Sequence, residues 1–233
     1  MLALKKAIRT TGRKIIIYRV MQLNKMSLGI IGSGGFAREV LQLVKQIQNS
    51  TEVWFSEIYF VEIDEFYQDE FVDNVRVLKM SECDLLKMRF VIGIGDPNMK
   101  IRTLEELPSS ITFTSLISPQ AFIADDFIPQ DGLVVMPFCY VSANVKLGLH
   151  VHLNTHCTVG HDTCIGDYST TACSVMIAGN NNISESCYFG MNSCTRQGVS
   201  ICHNVTVGLN SGVVKDINEP GTYIGTPAKI LFR

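Results

Sequence analysis

Residues 147–183 read LGLHVHLNTHCTVGHDTCIGDYSTTACSVMIAGNNNI, and every sixth residue from Leu147 is apolar or threonine: Leu153, Val159, Ile165, Thr171, Ile177 and Ile183. The register runs back through Val141, Val135, Pro129 and Ile123 to Ile117, and forward through Phe189, Thr195, Ile201 and Val207 to Val213. A small residue often follows, as in Gly148, Gly160, Gly166, Ala172 and Ala178, and the fifth position of the hexad is mostly small or aliphatic. A strict period of six marks a solenoid, in which each unit buries its apolar face only by stacking on its neighbours. An amphipathic helix recurs near 3.6 residues and could not hold this register, and sandwich loops vary in length. The expectation is a repeat domain over residues 113–233.

The pattern resembles the hexapeptide-repeat acyltransferases, whose fold is a left-handed parallel β-helix with three-sided coils of eighteen residues. The resemblance puts Cys139 and Cys157 in one stacked column, continued by Val175, Ser193 and Ser211. The tail Gly221-Thr222-Tyr223-Ile224-Gly225-Thr226-Pro227-Ala228-Lys229 resembles the C-terminal signature of the same family, G-x-P-A-K. It implies that Gly225, Ala228 and Lys229 lie near the adenine end of bound coenzyme A.

Ahead of the repeat, Leu28–Ile31 reads as a buried strand, Gly32-Ser33-Gly34-Gly35 as a turn, and Phe36–Gln48 as a helix with apolar spacing. A glycine-rich turn into a helix N-terminus brings free N–H groups and positive potential to a phosphate. Ala37 breaks the full dinucleotide fingerprint, so a Rossmann-like small parallel sheet holding a nucleotide is expected over 26–112. Gly32, Gly34 and Gly35 are its phosphate candidates. Strand Ile58–Val61 ends in Glu62, where an acid can accept from a ribose or base. A third strand over 90–94 and a helix over 101–107 complete the reading. Within the acyltransferases this arrangement resembles the sialic acid O-acetyltransferase and bacillosamine-type N-acetyltransferase subfamily, in which the front domain holds a nucleotide-linked amino sugar. Asp96 and Arg102 fit a further pattern of that subfamily.

Acyl transfer from a thioester to an amine needs a base for the amine proton and donors for the developing oxyanion. His161 is the third residue of its hexad, outside the inward positions, and an imidazole's ordinary pKa of about 6.5 suits a base at neutral pH. Adjacent Asp162 can fix its tautomer. The resemblance makes His161 and Asp162 the base and its acidic partner. It makes Gly179, eighteen residues on, the donor to the thioester carbonyl and a cofactor contact, and Asn154 a sugar contact. Thr170 stands where the bacillosamine-type enzyme has a second histidine in the cofactor region. The implied reaction moves acetyl from acetyl-CoA to the 4-amino group of a nucleotide-linked 4-amino-4,6-dideoxyhexose, in a homotrimer with sites between adjacent β-helices. Rival readings are O-acetylation of a sialic acid and a non-catalytic β-helix scaffold. His150, His152, His156 and His161 do not converge across coil faces, so no metal is expected.

The 233 residues carry a net charge of −2, but Lys5, Lys6, Arg9, Arg13, Lys14, Arg19 and Lys25 sit in residues 1–25 without an acid, leaving about −9 beyond. That basic extension has too short an apolar run for a secretory signal and reads as a disordered tail or start-site artefact, in preference to a targeting segment or a surface-binding arm. The acidic remainder argues against nucleic acid, and no apolar run is long enough to cross a membrane. Eight cysteines without a CxxC pair and without a signal read as reduced thiols in a cytoplasmic protein.

Overall fold

The computed structural model describes residues 26–51 and 55–231, so the basic extension 1–25 lies outside it. The front domain runs β1 (Ser27–Ile31), α1 (Gly35–Ser50), β2 (Ile58–Glu62), β3 (Phe71–Val72), β4 (Val75–Lys79), β5 (Met88–Ile92) and α2 (Pro97–Glu105). Its sheet has the order β3-β4-β2-β1-β5, parallel except for the β3–β4 hairpin. The hairpin is an addition to the expected order of elements. It turns on Asp73 and Asn74, both at positive φ (48° and 61°), a local conformation that short polar residues tolerate. The strand expected at 90–94 starts two residues earlier. The helix expected at 101–107 starts at Pro97, because Asp96 caps it by accepting from Met99 N–H at 2.8 Å and proline fits the first helical turn. On α1, Ala37, Val40, Leu41, Val44 and Ile47 form the apolar stripe that buries against the sheet.

From Leu116 the chain winds as a parallel β-solenoid of two-residue strands. Strands eighteen residues apart pair in register, His152 with Thr170, Thr158 with Met176 and Cys164 with Asn182, so the coil has three faces. The first face passes through Leu116–Ile117, Val134–Val135, His152–Leu153, Thr170–Thr171 and Tyr188–Phe189; the second through Tyr140–Val141, Thr158–Val159 and Met176–Ile177; the third through Lys146–Leu147, Cys164–Ile165 and Asn182–Ile183. The first hexad positions from Val135 to Val213 and the column Cys139, Cys157, Val175, Ser193, Ser211 are buried inside, while Ile117, Ile123 and Pro129 of the opening coil are only partly covered. Each corner is turned by the fourth residue of its hexad at positive φ, from Gly132 and Phe138 through Asp162 to Asn210. Asparagine recurs there, at 144, 180, 192, 204 and 210, because it tolerates this conformation at little cost.

The register fails at its two ends. No strand forms at Pro129, which cannot donate to a ladder. Beyond Val213 the last coil is two residues short: Val205 pairs with Gly221, and Gly221–Ile224 then folds back on Lys229–Ile230 as a closing hairpin.

The front domain sits on the first face. Leu116, Val134 and Met136 of the coil join one apolar cluster with Leu28, Ala37 and Val40. Phe36 stacks on His152 with ring centroids 5.2 Å apart. Lys100, fully buried on α2, donates from Nζ to His150 O (2.7 Å), Tyr168 O (3.2 Å) and Thr170 Oγ1 (3.0 Å).

Candidate active site

The corner between the second and third faces carries His161. At the third position of its hexad the side chain leaves the coil, and it is 54% exposed. Asp162 follows at the corner position with φ 58°, which turns its carboxylate back toward the preceding ring. Nδ1 of His161 and Oδ2 of Asp162 are 2.7 Å apart. A carboxylate there holds the proton on Nδ1 and leaves Nε2 as the free acceptor. The other carboxylate oxygen, Oδ1, accepts from Asn144 Nδ2 at 2.7 Å, and Asn144 N–H in turn donates to Asp126 Oδ2 at 2.6 Å. Asn144 first and His161 second hold the Asp162 carboxyl below its ordinary pKa, so it stays ionised beside the imidazole.

One coil on, Gly179 lies directly against the imidazole. A Cβ at this position would come within 2.8 Å of Nε2, so only glycine leaves the ring where it is. Its own N–H has no hydrogen-bond partner among the described residues. Next to it, Ala178 O accepts from Thr163 Oγ1 (3.0 Å) and Asn181 Nδ2 (2.6 Å), and Ala178 N–H donates to Thr195 Oγ1 (3.0 Å). Sequence reading missed Asn144, Thr163 and Asn181. The signal for the last two was present, since both are polar residues in the inward fifth position, which is mostly small or aliphatic.

A groove of about 670 Å³ opens from this corner along the third face, lined among others by Asn144, Lys146, Gly148, Cys164, Asp167 and Asn182. A second cleft, of about 440 Å³, lies at the carboxyl ends of β1, β2 and β5. Gly32, Gly34, Gly35 and Glu62 all line it, together with Ser33, Phe36, Phe66, Asp96 and Met99. Gly32 adopts φ 96°, a value that favours glycine, and Gly34 and Gly35 open directly to the space where a phosphate would meet the first turn of α1. Ser33 Oγ donates to Glu62 at 2.5 Å, so this acid is held at the cleft wall. Asp96 caps α2 at the rim, whereas Arg102 is exposed and does not line the cleft.

Two expected residues fall elsewhere. Thr170 is 1% exposed and accepts from Lys100 beneath the front domain, so it has no surface to offer a cofactor; packing of α2 on the coil, invisible in the repeat, overrides the placement by resemblance. Asn154 is half-buried at the corner between the first and second faces, away from His161, with Oδ1 unpartnered. In the tail, Gly225 N–H donates to Ser211 Oγ (2.9 Å) and Ala228 N–H to Gly212 O (2.8 Å), pinning the signature over the end of the second face, with Lys229 exposed. The structure thus brings His161, Asp162 and Gly179 together, and separately the four cleft residues. The front domain covers the first face, and His161 rides the corner opposite that face.

Residues 27–107 match the PglD N-terminal domain family. The chain is 27% identical over 175 residues to the GDP-perosamine N-acetyltransferase of Escherichia coli O157:H7, covering 73% of this chain and 78% of that one. The acetyltransferase domain of PglB from Neisseria gonorrhoeae FA1090, in complex with acetyl coenzyme A, superposes with a TM-score of 0.80 at 25% identity over 89% of this chain and 100% of that one. WeeI from Acinetobacter baumannii AYE does so with a TM-score of 0.78 at 26% identity, over 88% and 100%. The solenoid is therefore the left-handed β-helix of the acetyltransferases, behind a small α/β domain.

Proposed function

We infer, from a front domain of the PglD N-terminal family joined to an acetyltransferase β-helix, that this chain is an acetyl-CoA-dependent N-acetyltransferase acting on a nucleotide-linked 4-amino sugar. The observation that carries the chemistry is the His161–Asp162 pair at 2.7 Å, with Nε2 directed over Gly179.

The nucleophile is the neutral 4-amine of a 4-amino-4,6-dideoxyhexose. Its nitrogen attacks the thioester carbonyl carbon, the new C–N bond forms, and negative charge gathers on the carbonyl oxygen. Gly179 N–H donates to that oxygen as it charges, which is where a fixed donor lowers the barrier most. His161 Nε2 takes the proton lost by the amine, and the Asp162 carboxylate stabilises the resulting imidazolium. The C–S bond then breaks, and the departing thiolate takes the proton from His161 to leave as coenzyme A thiol. The products are the N-acetyl sugar and free coenzyme A, with no covalent enzyme intermediate and no metal in the balance.

The nucleotide moiety belongs in the front cleft, its pyrophosphate against Gly32, Gly34 and Gly35 and its ribose or base near Glu62. The end of coenzyme A belongs near Gly225, Ala228 and Lys229, reached along the coil from His161. Within one chain the cleft and His161 lie on opposite sides of the three-sided coil, so a sugar held in one cannot meet the other. This geometry favours a cyclic homotrimer in which a neighbouring subunit brings its front domain and Asn154 to this His161. Among the described residues no helix is long and apolar enough to cross a membrane, and a cytoplasmic place suits an enzyme that consumes acetyl-CoA.

The test follows thiol release from acetyl-CoA with UDP-, dTDP- and GDP-linked 4-amino sugars. Turnover of one amine that is abolished by His161→Ala is expected. Acetylation of a sialic acid hydroxyl and of no amine would replace the reading with the O-acetyl one.

A further inference from the structure

Among the turns of this coil, the one against His161 is held differently from the rest. At other coils, an inward thiol or hydroxyl at the fifth position donates to the corresponding carbonyl of the next coil, which takes no second side-chain donor among the described residues: Cys139 to Asn154 O, Cys157 to Ala172 O, Ser169 to Ser184 O and Cys187 to Cys202 O. Thr163 donates in the same way to Ala178 O at 3.0 Å. Ala178 O takes a second donor as well, Asn181 Nδ2 at 2.6 Å, and the same amide nitrogen reaches Gly179 O at 3.3 Å. Both side chains are buried, Thr163 at 0% and Asn181 at 2% exposure.

The carbonyl of Ala178 and the N–H of Gly179 belong to one peptide group. Donors on the carbonyl oxygen draw electron density through the conjugated amide and make its N–H a stronger donor on the far side. They also fix the plane of that peptide, and so the direction in which the N–H points. The arrangement is costly to the fold, since Asn181 Oδ1 is buried without a partner in a position that an aliphatic residue fills at other coils. The orientation of the amide is set by its two carbonyl neighbours, because flipping it would place oxygen against oxygen.

We propose that Asn181, with Thr163, is a positioning residue for acyl transfer, which aims and polarises the Gly179 N–H at the thioester oxygen. It touches no substrate and acts through the 178–179 peptide. The inference rests on the reading of Gly179 as the oxyanion donor. It follows that returning these positions to the aliphatic pattern of the repeat separates catalysis from stability. A buried orphan acceptor disappears in Asn181→Leu, and Thr163→Val keeps its shape.

The experiment measures kcat, both Michaelis constants and the thermal midpoint for wild type, Asn181→Leu, Thr163→Val and His161→Ala, with acetyl-CoA and the amino sugar turned over in the panel. The expected result for Asn181→Leu is a fall in kcat of about tenfold, smaller than the loss of an oxyanion donor outright. KM for both substrates stays within about twofold and the midpoint is unchanged or raised. Thr163→Val should move kcat in the same direction by less, and it decides the matter if Asn181→Leu does not fold. An unchanged kcat in the variants, or parallel losses of stability and activity, would overturn the inference while the collapse of His161→Ala still upheld the reaction. Full activity in His161→Ala would instead remove the reading on which it rests.

Discussion

Two histidine environments lie within two coils of the same repeat, and they are opposites. His161 stands at an exposed corner with a carboxylate on Nδ1. His152 is wholly buried on the first face beneath Phe36, with neither ring nitrogen partnered among the described residues, and His150 packs edge-on to Phe113 beside it. Burial, followed by the nearby charge of Lys100, pushes His150 down to about 4 and His152 well below its ordinary value, so both are neutral where the protein works. Hexad position and face, more than residue type, decide whether an imidazole is a base or a packing group. The sharpest way to break the contrast is to exchange the losses. His161→Ala should lower kcat by about 10²- to 10⁴-fold at unchanged thermal stability. His152→Leu should leave kcat near wild type in the same assay, and inactivity there would collapse the distinction.

Lys100 extends the buried side of the comparison. An ammonium held by three oxygens and no carboxylate is expensive to bury, and its pKa is pushed well below the ordinary lysine value, chiefly by desolvation. Removing it still leaves His150 O, Tyr168 O and Thr170 Oγ1 short of a donor. Lys100→Met is expected to cost about 2 kcal/mol, the loss of several hydrogen bonds less the relief of the amine's desolvation. Urea unfolding measures it, and a variant as stable as wild type would mean that the latch holds nothing. Because α2 also lines the front cleft, the loss should weaken nucleotide-sugar binding more than acetyl-CoA binding.

The pH dependence of stability should follow the buried histidines. Unfolded, His150 titrates near 6.5; folded, near 4. Between those values the unfolded chain binds more protons, so stability rises with pH across that window and is lost as pH falls through it. The slope contributed is at most about 1.4 kcal/mol per pH unit. His150→Phe should flatten the midpoint-against-pH curve between pH 4 and 6.5, and an unaltered curve would count against the burial assigned here.

These contrasts also mark how far the sequence could be read. The solenoid was legible because a period of six survives every local choice of residue, and the juxtaposition of His161, Asp162 and Gly179 was legible because an eighteen-residue coil stacks position on position. The shared place of Glu62 and the glycine turn on one cleft was legible from the order of strand, turn and helix. Lys100 was not. A lysine on a short helix reads as solvated, and only the docking of α2 on the first face, a contact fifty residues away in sequence, turns it inward. Thr170 was misplaced for the same reason. Residues 73–74 hid a hairpin because its first strand, Phe71–Val72, is only two residues long and carries too little alternation to register.

The smallest effect is expected at Asn144, which braces the exposed pair from one coil below. Its amide is the largest cause of the lowered Asp162 pKa, ahead of His161 itself. Asn144→Gly keeps the corner, since φ is 55° there and glycine adopts it freely, while deleting the amide that holds Oδ1. The carboxylate then keeps only its bond to His161, rotates more freely and titrates closer to the ordinary aspartate range. Catalysis should fall by only about threefold, because the imidazole retains its partner and loses only part of its orientation. A carbon-detected NMR titration of the Asp162 carboxyl reads the cause directly: its pKa should rise in the variant. An unmoved titration curve would mean that the brace is incidental and that His161 alone orients the acid.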